Sequence, residues 1–476
     1  VHSPTTSSAP LGSEAADTTA QPSLTTWRET RVAVLVGVVA TAVRSLWVIL
    51  FARAPAGLSD PYIYLQMAAS LADGKGYTSL LGRPTAYYPP GYPLFVAAVQ
   101  RASELVGQGP RLILILGLTQ AVLGGVAAAA LVIAGNRLRS SRYLGVTAGL
   151  LFAFWPNLII HSGLVLSESL FLCFFCILLA ALFLWTARTE PLSSAQSAAL
   201  LTVIFCSTAV CTLVRPQSVV VVVPAAALAW LIAGLGWRVS LRGIGLLVIG
   251  MLIAILPWTV RNAIVMKEFV PMSTNTGDNF CIGFHEGATG GFSISDACAT
   301  AENYTDGPQI EVARDGELRA RTLRWITAHP GVLPELSYQK LWVTFSHDAD
   351  SVFAWESYGE DAHLSDSQRS LLNLMCNLYY WTVLSFALAG IVIVLRGRRA
   401  GRGHHPATAH PDAAQTANSL ILVFSFAFGA LLPVLFFGHE RFKIPVLPCV
   451  VLLAAVTVQA VFQLRLQPRH VPVEQM

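Results

Sequence analysis

Long apolar runs, separated by short polar turns, dominate the chain. A bilayer-spanning helix needs about 20 mostly apolar residues. Ten runs approach that length: roughly 32–52, 112–134, 144–160, 168–187, 198–214, 217–235, 243–260, 372–395, 418–437 and 444–463. They predict an all-α polytopic membrane protein with about ten transmembrane helices. Two further stretches read as non-spanning helices. Residues 61–73 are helix-prone and stop at the breaker Gly74-Lys75-Gly76. Residues 93–106 form an apolar run of about 14 residues, broken by Arg101 and Glu104, a length that suits an interfacial or re-entrant helix. The Ser/Thr/Ala/Pro-rich residues 1–27 read as a disordered tail. The first apolar run reads as an uncleaved anchor, being too long for a signal peptide and lacking a small-residue cleavage site. Residues 401–417, with three histidines, read as a flexible linker. No internal repeat is visible, so the inverted repeats of many transporters find no support.

Composition agrees with the pattern. Of the 476 residues, 54% are hydrophobic and only 12% charged, about half the charge of a soluble domain. That excludes a soluble enzyme, a disordered chain and a disulfide-dense secreted domain. A net charge of +4 is too small to point to nucleic acid. The sparse charge is also sorted. Arg28, Arg31, Arg137, Arg139, Arg142, Arg188, Arg238, Arg242, Arg396, Arg398, Arg399, Arg402, Arg465 and Arg469 fall on one side of the predicted spans. The positive-inside rule makes that side cytoplasmic, with both termini on it. All but six of the 27 acidic residues (Glu14, Asp17, Glu29, Glu190, Asp412 and Glu474) fall on the other side. The expected organisation is a cytoplasmic tail (1–27), an N-terminal transmembrane module (28–260) with a catalytic first outer loop (53–111), and an extracytoplasmic loop domain (261–371). C-terminal helices (372–464) and a second cytoplasmic tail (465–476) complete it.

Candidate chemistry gathers at the outer boundary. Asp60, just past the first span, reads either as a base or cation ligand or as the cap of a helix starting at Pro61. Glu168 opens the fourth span, where an ionisable residue is a functional candidate or a complement to the helix dipole. The segment Arg83–Pro93 (RPTAYYPPGYP) gives a stiff turn whose tyrosines sit at headgroup level, as a structural anchor or a sugar platform. Arg215, Arg261, His439, Arg441 and Lys443 place cations where a lipid phosphate would lie, though snorkelling accounts for some of them. Arg441 and Lys443 run against the positive-inside trend. Arg44, near mid-span, must face the protein interior. The acidic run Asp348, Asp350, Glu356, Glu360, Asp361, His363 and Asp366 raises a divalent cation, Mg²⁺ or Ca²⁺, against a solvated loop face. Cys281 and Cys298 lie in the outer segment, where a disulfide would persist. The other six cysteines fall within spans and read as small apolar residues.

Three features occur together: Asp60 shortly after the first span, the Pro-Pro-Gly-Tyr-Pro stretch at 89–93, and the Pro257–Gly290 stretch PWTVRNAIVMKEFVPMSTNTGDNFCIGFHEGATG. With His439–Pro448 (HERFKIPVLP), they give a chain that resembles bacterial GT-C membrane glycosyltransferases. The protein O-mannosyltransferase and aminoarabinose lipid A transferase families are the nearest in pattern. That resemblance implies a polyprenyl-phosphate-linked sugar as donor, transfer at the outer face, and Asp60 as base. Arg441, Lys443, Arg215, Arg261 and His439 would then face the donor phosphate, and Tyr62, Tyr88, Tyr92 and Asn279 would line the substrate. The adjacent Asp-Glu pair of the O-mannosyltransferases is lacking, since Pro61 follows Asp60; Glu168 is the candidate for the second carboxylate. The acceptor would be a glycan, lipid or protein hydroxyl. The rival readings are a lipid-linked sugar transporter or flippase, and a polysaccharide polymerase. Arg44 as the only clear mid-span charge, with carboxylates on one side, favours transfer over transport.

Overall fold

The computed structural model describes residues 25–138, 142–187, 193–293, 295–299, 307–400 and 410–466. The N-terminal tail to residue 24, Arg139, Arg188, Glu190, the linker 401–409 with Arg402, and the tail from 467 lie outside the described residues. The first half of the chain forms α1 (Trp27–Phe51), α2 (Asp60–Ala72), α3 (Gly91–Leu105), α4 (Leu112–Asn136), α5 (Arg142–Ala153), α6 (Pro156–His161), α7 (Glu168–Thr186), α8 (Ser194–Val214), α9 (Pro216–Ala233) and α10 (Trp237–Met266). The second half forms α11 (Thr276–Gly283), α12 (Pro308–Ala328), α13 (Leu333–Phe345), α14 (Asp350–Trp355), α15 (Asp366–Ala400), α16 (His410–Leu435) and α17 (Leu447–Leu466). Among the described residues there is no strand, only two isolated bridges, Thr78–Pro84 and Gly291–Gly438.

The fold is all-α and polytopic. Eight helices are long and apolar enough to cross a membrane, and shorter apolar helices cover 143–153 and 219–233. Two sequence expectations are corrected. The run 144–160 is not one span: Pro156 follows the extended Trp155, and the helix breaks between α5 and α6. The linker expected over 401–417 is already helical from His410.

Burial ranks the spans. In α7 and in the last span, 83% of the apolar window is buried, against 22% in α10 and α15. A helix apolar on all sides belongs at the centre of a bundle, and α7 (ESLFLCFFCILLAALFLWT) is one. Glycines bring neighbouring backbones together, as expected where lipid provides no hydrophobic drive for association. A Cβ on Gly37 of α1 would lie 2.9 Å from the Gly125 carbonyl of α4, and one on Gly390 of α15 would lie 2.1 Å from the Leu453 carbonyl of α17.

Arg44 shows how a mid-span charge is accommodated. It is 1% exposed, and its guanidinium donates to the Ala153 and Phe152 carbonyls, each at 2.9 Å. Those carbonyls end α5 just before Pro156, which has no N–H to return a helical bond. Arg44 thus caps a helix end inside the bundle, and Gly124 leaves room for its side chain.

The helix ends sort into two groups, as the alternation of loops requires. At one, Arg137 pairs with Glu29 at 2.7 Å, and Asn418 joins the Arg137 carbonyl to Thr186. At the other, Trp355 donates to the Phe51 carbonyl at 2.9 Å and Arg53 pairs with Asp361 at 3.0 Å. The two long interhelical segments interlock there. Glu311 of α12 accepts from Thr85 Oγ1 at 2.6 Å, from the Ala86 N–H at 2.9 Å and from Thr274 Oγ1. Cys281 and Cys298 form a disulfide that ties α11 to a one-turn 3-10 helix at Asp296–Cys298.

Candidate active site

Asp60 occupies the first turn of α2, where the helix dipole favours a carboxylate. Ser59 holds the cap position, so the Asp60 side chain is free to reach outward. Its Oδ1 accepts from the Tyr88 hydroxyl at 2.8 Å and its Oδ2 from Arg441 Nη1 at 3.0 Å. Tyr88 comes from the proline-rich turn before α3, and Gly91 explains the turn's placement. A Cβ on Gly91 would sit 2.7 Å from the Leu213 carbonyl carbon of α8, so only glycine lets α3 begin against that helix end. Tyr64 holds the turn from below, with ring centroids 5.1 Å from both Tyr88 and Tyr92. Burial, with Asp60 beside it, pushes the Tyr88 phenol well above its ordinary range, so it stays a hydrogen-bond donor.

Behind Asp60 lies a second ion pair. Arg215, at the break between α8 and α9, donates to Glu168 Oε1 at 2.5 Å and to Ser167 Oγ at 3.2 Å. Arg441, in the 3-10 turn Glu440–Val446, donates from Nε to the same Glu168 oxygen at 2.7 Å. Tyr358 adds a further contact, its hydroxyl accepting from Arg441 Nη1 at 3.3 Å. Its φ of 58° is in the left-handed region, a strained backbone that persists only where the surrounding structure holds it. Two carboxylates and two guanidiniums thus form one line: Asp60, Arg441, Glu168, Arg215. The exposed member is Asp60, whose side chain is 35% accessible against 0% for Glu168. The arrangement can take a proton at Asp60 and offer a guanidinium to an anion beside it.

The structure separates the remaining sequence candidates. Glu168 lies buried beneath both arginines and bonds to each, an arrangement that orients them. Lys443 is also sealed in, paired with Asp348 at 3.2 Å and donating to the Thr344 and Glu440 carbonyls, both at 3.1 Å. Arg261 holds the Tyr77 and Thr85 carbonyls at 3.0 and 2.7 Å and stacks on Trp258. Both cations brace loops through these contacts. His439 adjoins the site through its Nδ1, which accepts from the Arg441 N–H at 3.2 Å. Burial, with Arg441 nearby, pulls it down to about 4, so at neutral pH it is uncharged. Tyr92 is core, bonded to Gln120 at 3.0 Å, while Tyr62 and Asn279 are half-buried on α2 and α11.

The acidic run disperses into protein contacts. Asp350 pairs with His161 at 3.1 Å, Glu356 with Arg369 at 2.7 Å, and Asp361 with Arg53. Among the described residues no group of three or more His, Cys, Asp or Glu converges. Sequence reasoning missed Tyr358, which carries no motif, and Asp278, which accepts from the Tyr87 hydroxyl at 3.0 Å and so anchors the turn bearing Tyr88. The density of tyrosines at 87, 88 and 92 was the available signal for that turn.

No protein-family model and no curated protein matches the chain. Among solved structures it is similar to ArnT from Cupriavidus metallidurans bound to undecaprenyl phosphate, with a TM-score of 0.40 and 15% identity, covering 89% of this chain and 77% of that one. The apo state of the same protein gives a TM-score of 0.40 and 16% identity, over 89% and 76% of the two chains.

Proposed function

We propose that this protein is an integral membrane glycosyltransferase that moves a sugar from a polyprenyl-phosphate-linked donor to an acceptor hydroxyl at the extracytoplasmic face. The observation that carries the reading is the partly exposed Asp60 carboxylate held against Arg441 where the long interhelical loops converge. The sequence resemblance to GT-C transferases supports the same donor class.

In this mechanism Asp60 takes the proton of the acceptor hydroxyl as its oxygen attacks the anomeric carbon. The bond from that carbon to the lipid phosphate breaks, and the phosphate leaves with the electron pair. Arg441 stabilises the charge that develops on it. Glu168 and Arg215 keep Arg441 in place, and Tyr88 orients Asp60. The donor phosphate would compete with Asp60 for the Arg441 Nη nitrogens, so donor binding would free the base at the moment it is needed. A single displacement would invert the anomeric centre.

The test supplies membranes containing the protein with radiolabelled polyprenyl-phosphate hexoses and pentoses. Donor-dependent release of polyprenyl phosphate, with label in a new product, is expected for one of them. No release above protein-free membranes from any such donor contradicts the reading.

A further inference from the structure

A second site lies at the other end of the bundle. Residues of α7, α8 and α10 line a groove there of about 520 Å³, within the roughly 300–1,000 Å³ usual for ligand sites. Trp185, Leu201, Val239, Leu246 and Ile249 make its walls apolar, and Arg242 stands at its mouth. The opening has a definite cause. On α10, Gly243 is pressed against Trp230 and Trp185, whereas a Cβ at Gly245 would meet nothing within 4 Å. One glycine packs the helix down and the other leaves space above it.

Charge and length identify the occupant. Among the described residues no carboxylate pairs with Arg242, which is exposed, and Arg238 lies one turn away over the ring of Trp237. Cations four residues apart share a helix face, and a Trp–Arg pair marks the headgroup level. From Arg242 to Ile249 the groove runs about 10 Å into the hydrocarbon, which is most of one leaflet's half of a ~30 Å core. A cationic mouth over an apolar trough of this depth matches a lipid with an anionic head and acyl chains. The donor lipid is a poor match. Ser197, at the groove, and Val214, next to Arg215 of the candidate active site, lie at opposite ends of α8, about 25 Å apart.

We propose that this groove binds an anionic phospholipid of the leaflet facing the arginine-rich loops, with its headgroup on Arg242 and a chain over Gly245. The experiment is native mass spectrometry of the full chain in detergent, with equimolar phosphatidylglycerol and phosphatidylcholine of identical acyl chains. The wild type should retain phosphatidylglycerol at least about fivefold better, the effect of roughly one cation at a membrane surface. Arg242→Glu should abolish the preference, and Gly245→Leu, which fills the trough and keeps Arg242, should reduce retention of both lipids. Equal retention by the wild type, an undiminished preference in Arg242→Glu, or unchanged retention in Gly245→Leu would overturn the proposal. So would undecaprenyl phosphate displacing phosphatidylglycerol more than tenfold better than phosphatidylglycerol itself, because the groove would then belong to the donor.

Discussion

Arg441 Nη1 lies 3.0 Å from Asp60 Oδ2, joining residues 381 positions apart in sequence. The same guanidinium holds Glu168 through Nε, so two carboxylates are read by two different nitrogens of one planar group. A lysine carries the charge but not that fork. Arg441→Lys should therefore lose about 100- to 1000-fold in kcat/KM for the lipid-linked donor, as when one well-placed stabilising donor is removed. A Lys variant within twofold of wild type would show that the pair is structural only.

How much of this was legible in the sequence depends on range. Spans follow from local apolar runs, so nearly all appear as helices, and the breaker Gly74-Lys75-Gly76 ends α2 where expected. The break at Trp155–Pro156 was obscured because the residues around it are as apolar as a continuous span. The cations were legible as a set but not individually. Lys443 and Arg441 are two residues apart, yet the turn of Glu440–Val446 sends one to the buried Asp348 and the other to the half-exposed Asp60. Such a division is fixed by partners far away in the chain, and a local pattern holds no record of it. Arg44 makes the same point: its partners are backbone carbonyls, invisible to any search for a countercharge.

Stability should depend on pH through Lys340. This lysine is fully buried, with its ammonium 3.1 Å from the centroid of the Phe284 ring. Burial pulls it from 10.5 to about 7. The unfolded chain therefore takes up the proton first as pH falls below 10.5, and stability declines until about 7, where both states are charged. The melting temperature of the wild type should accordingly rise between about pH 7 and pH 9.5, with Lys340→Met flattening that rise. Parallel curves for the two proteins would show that Lys340 does not contribute.

The Cys281–Cys298 bridge spans 17 positions, and closing a loop of about 15 residues contributes roughly 3 kcal/mol. Cys298→Ser should lower the melting temperature, and reductant should destabilise the wild type but not the variant. Mass spectrometry under non-reducing conditions should find the two thiols joined; free thiols at both positions would contradict the pairing.

Topology is checked by reporter fusions. If the segment holding Gly290 is extracytoplasmic and the arginine-rich loops cytoplasmic, reporters fused at Gly290 and Gly401 should give opposite readouts, with Gly401 cytoplasmic. Readouts from the same side would break the assignment of faces on which the proposed reaction rests.

In the proposed reaction Asp60 accepts the acceptor's proton. Asp60→Asn keeps the size of the side chain and its neighbours but removes that capacity. The decisive measurement is single-turnover transfer from a radiolabelled polyprenyl-phosphate sugar in membranes, with donor binding measured on the same preparations. The rate should fall by about 100-fold or more, as for loss of a general base, with donor still bound. Transfer at the wild-type rate by the Asn variant would contradict that role.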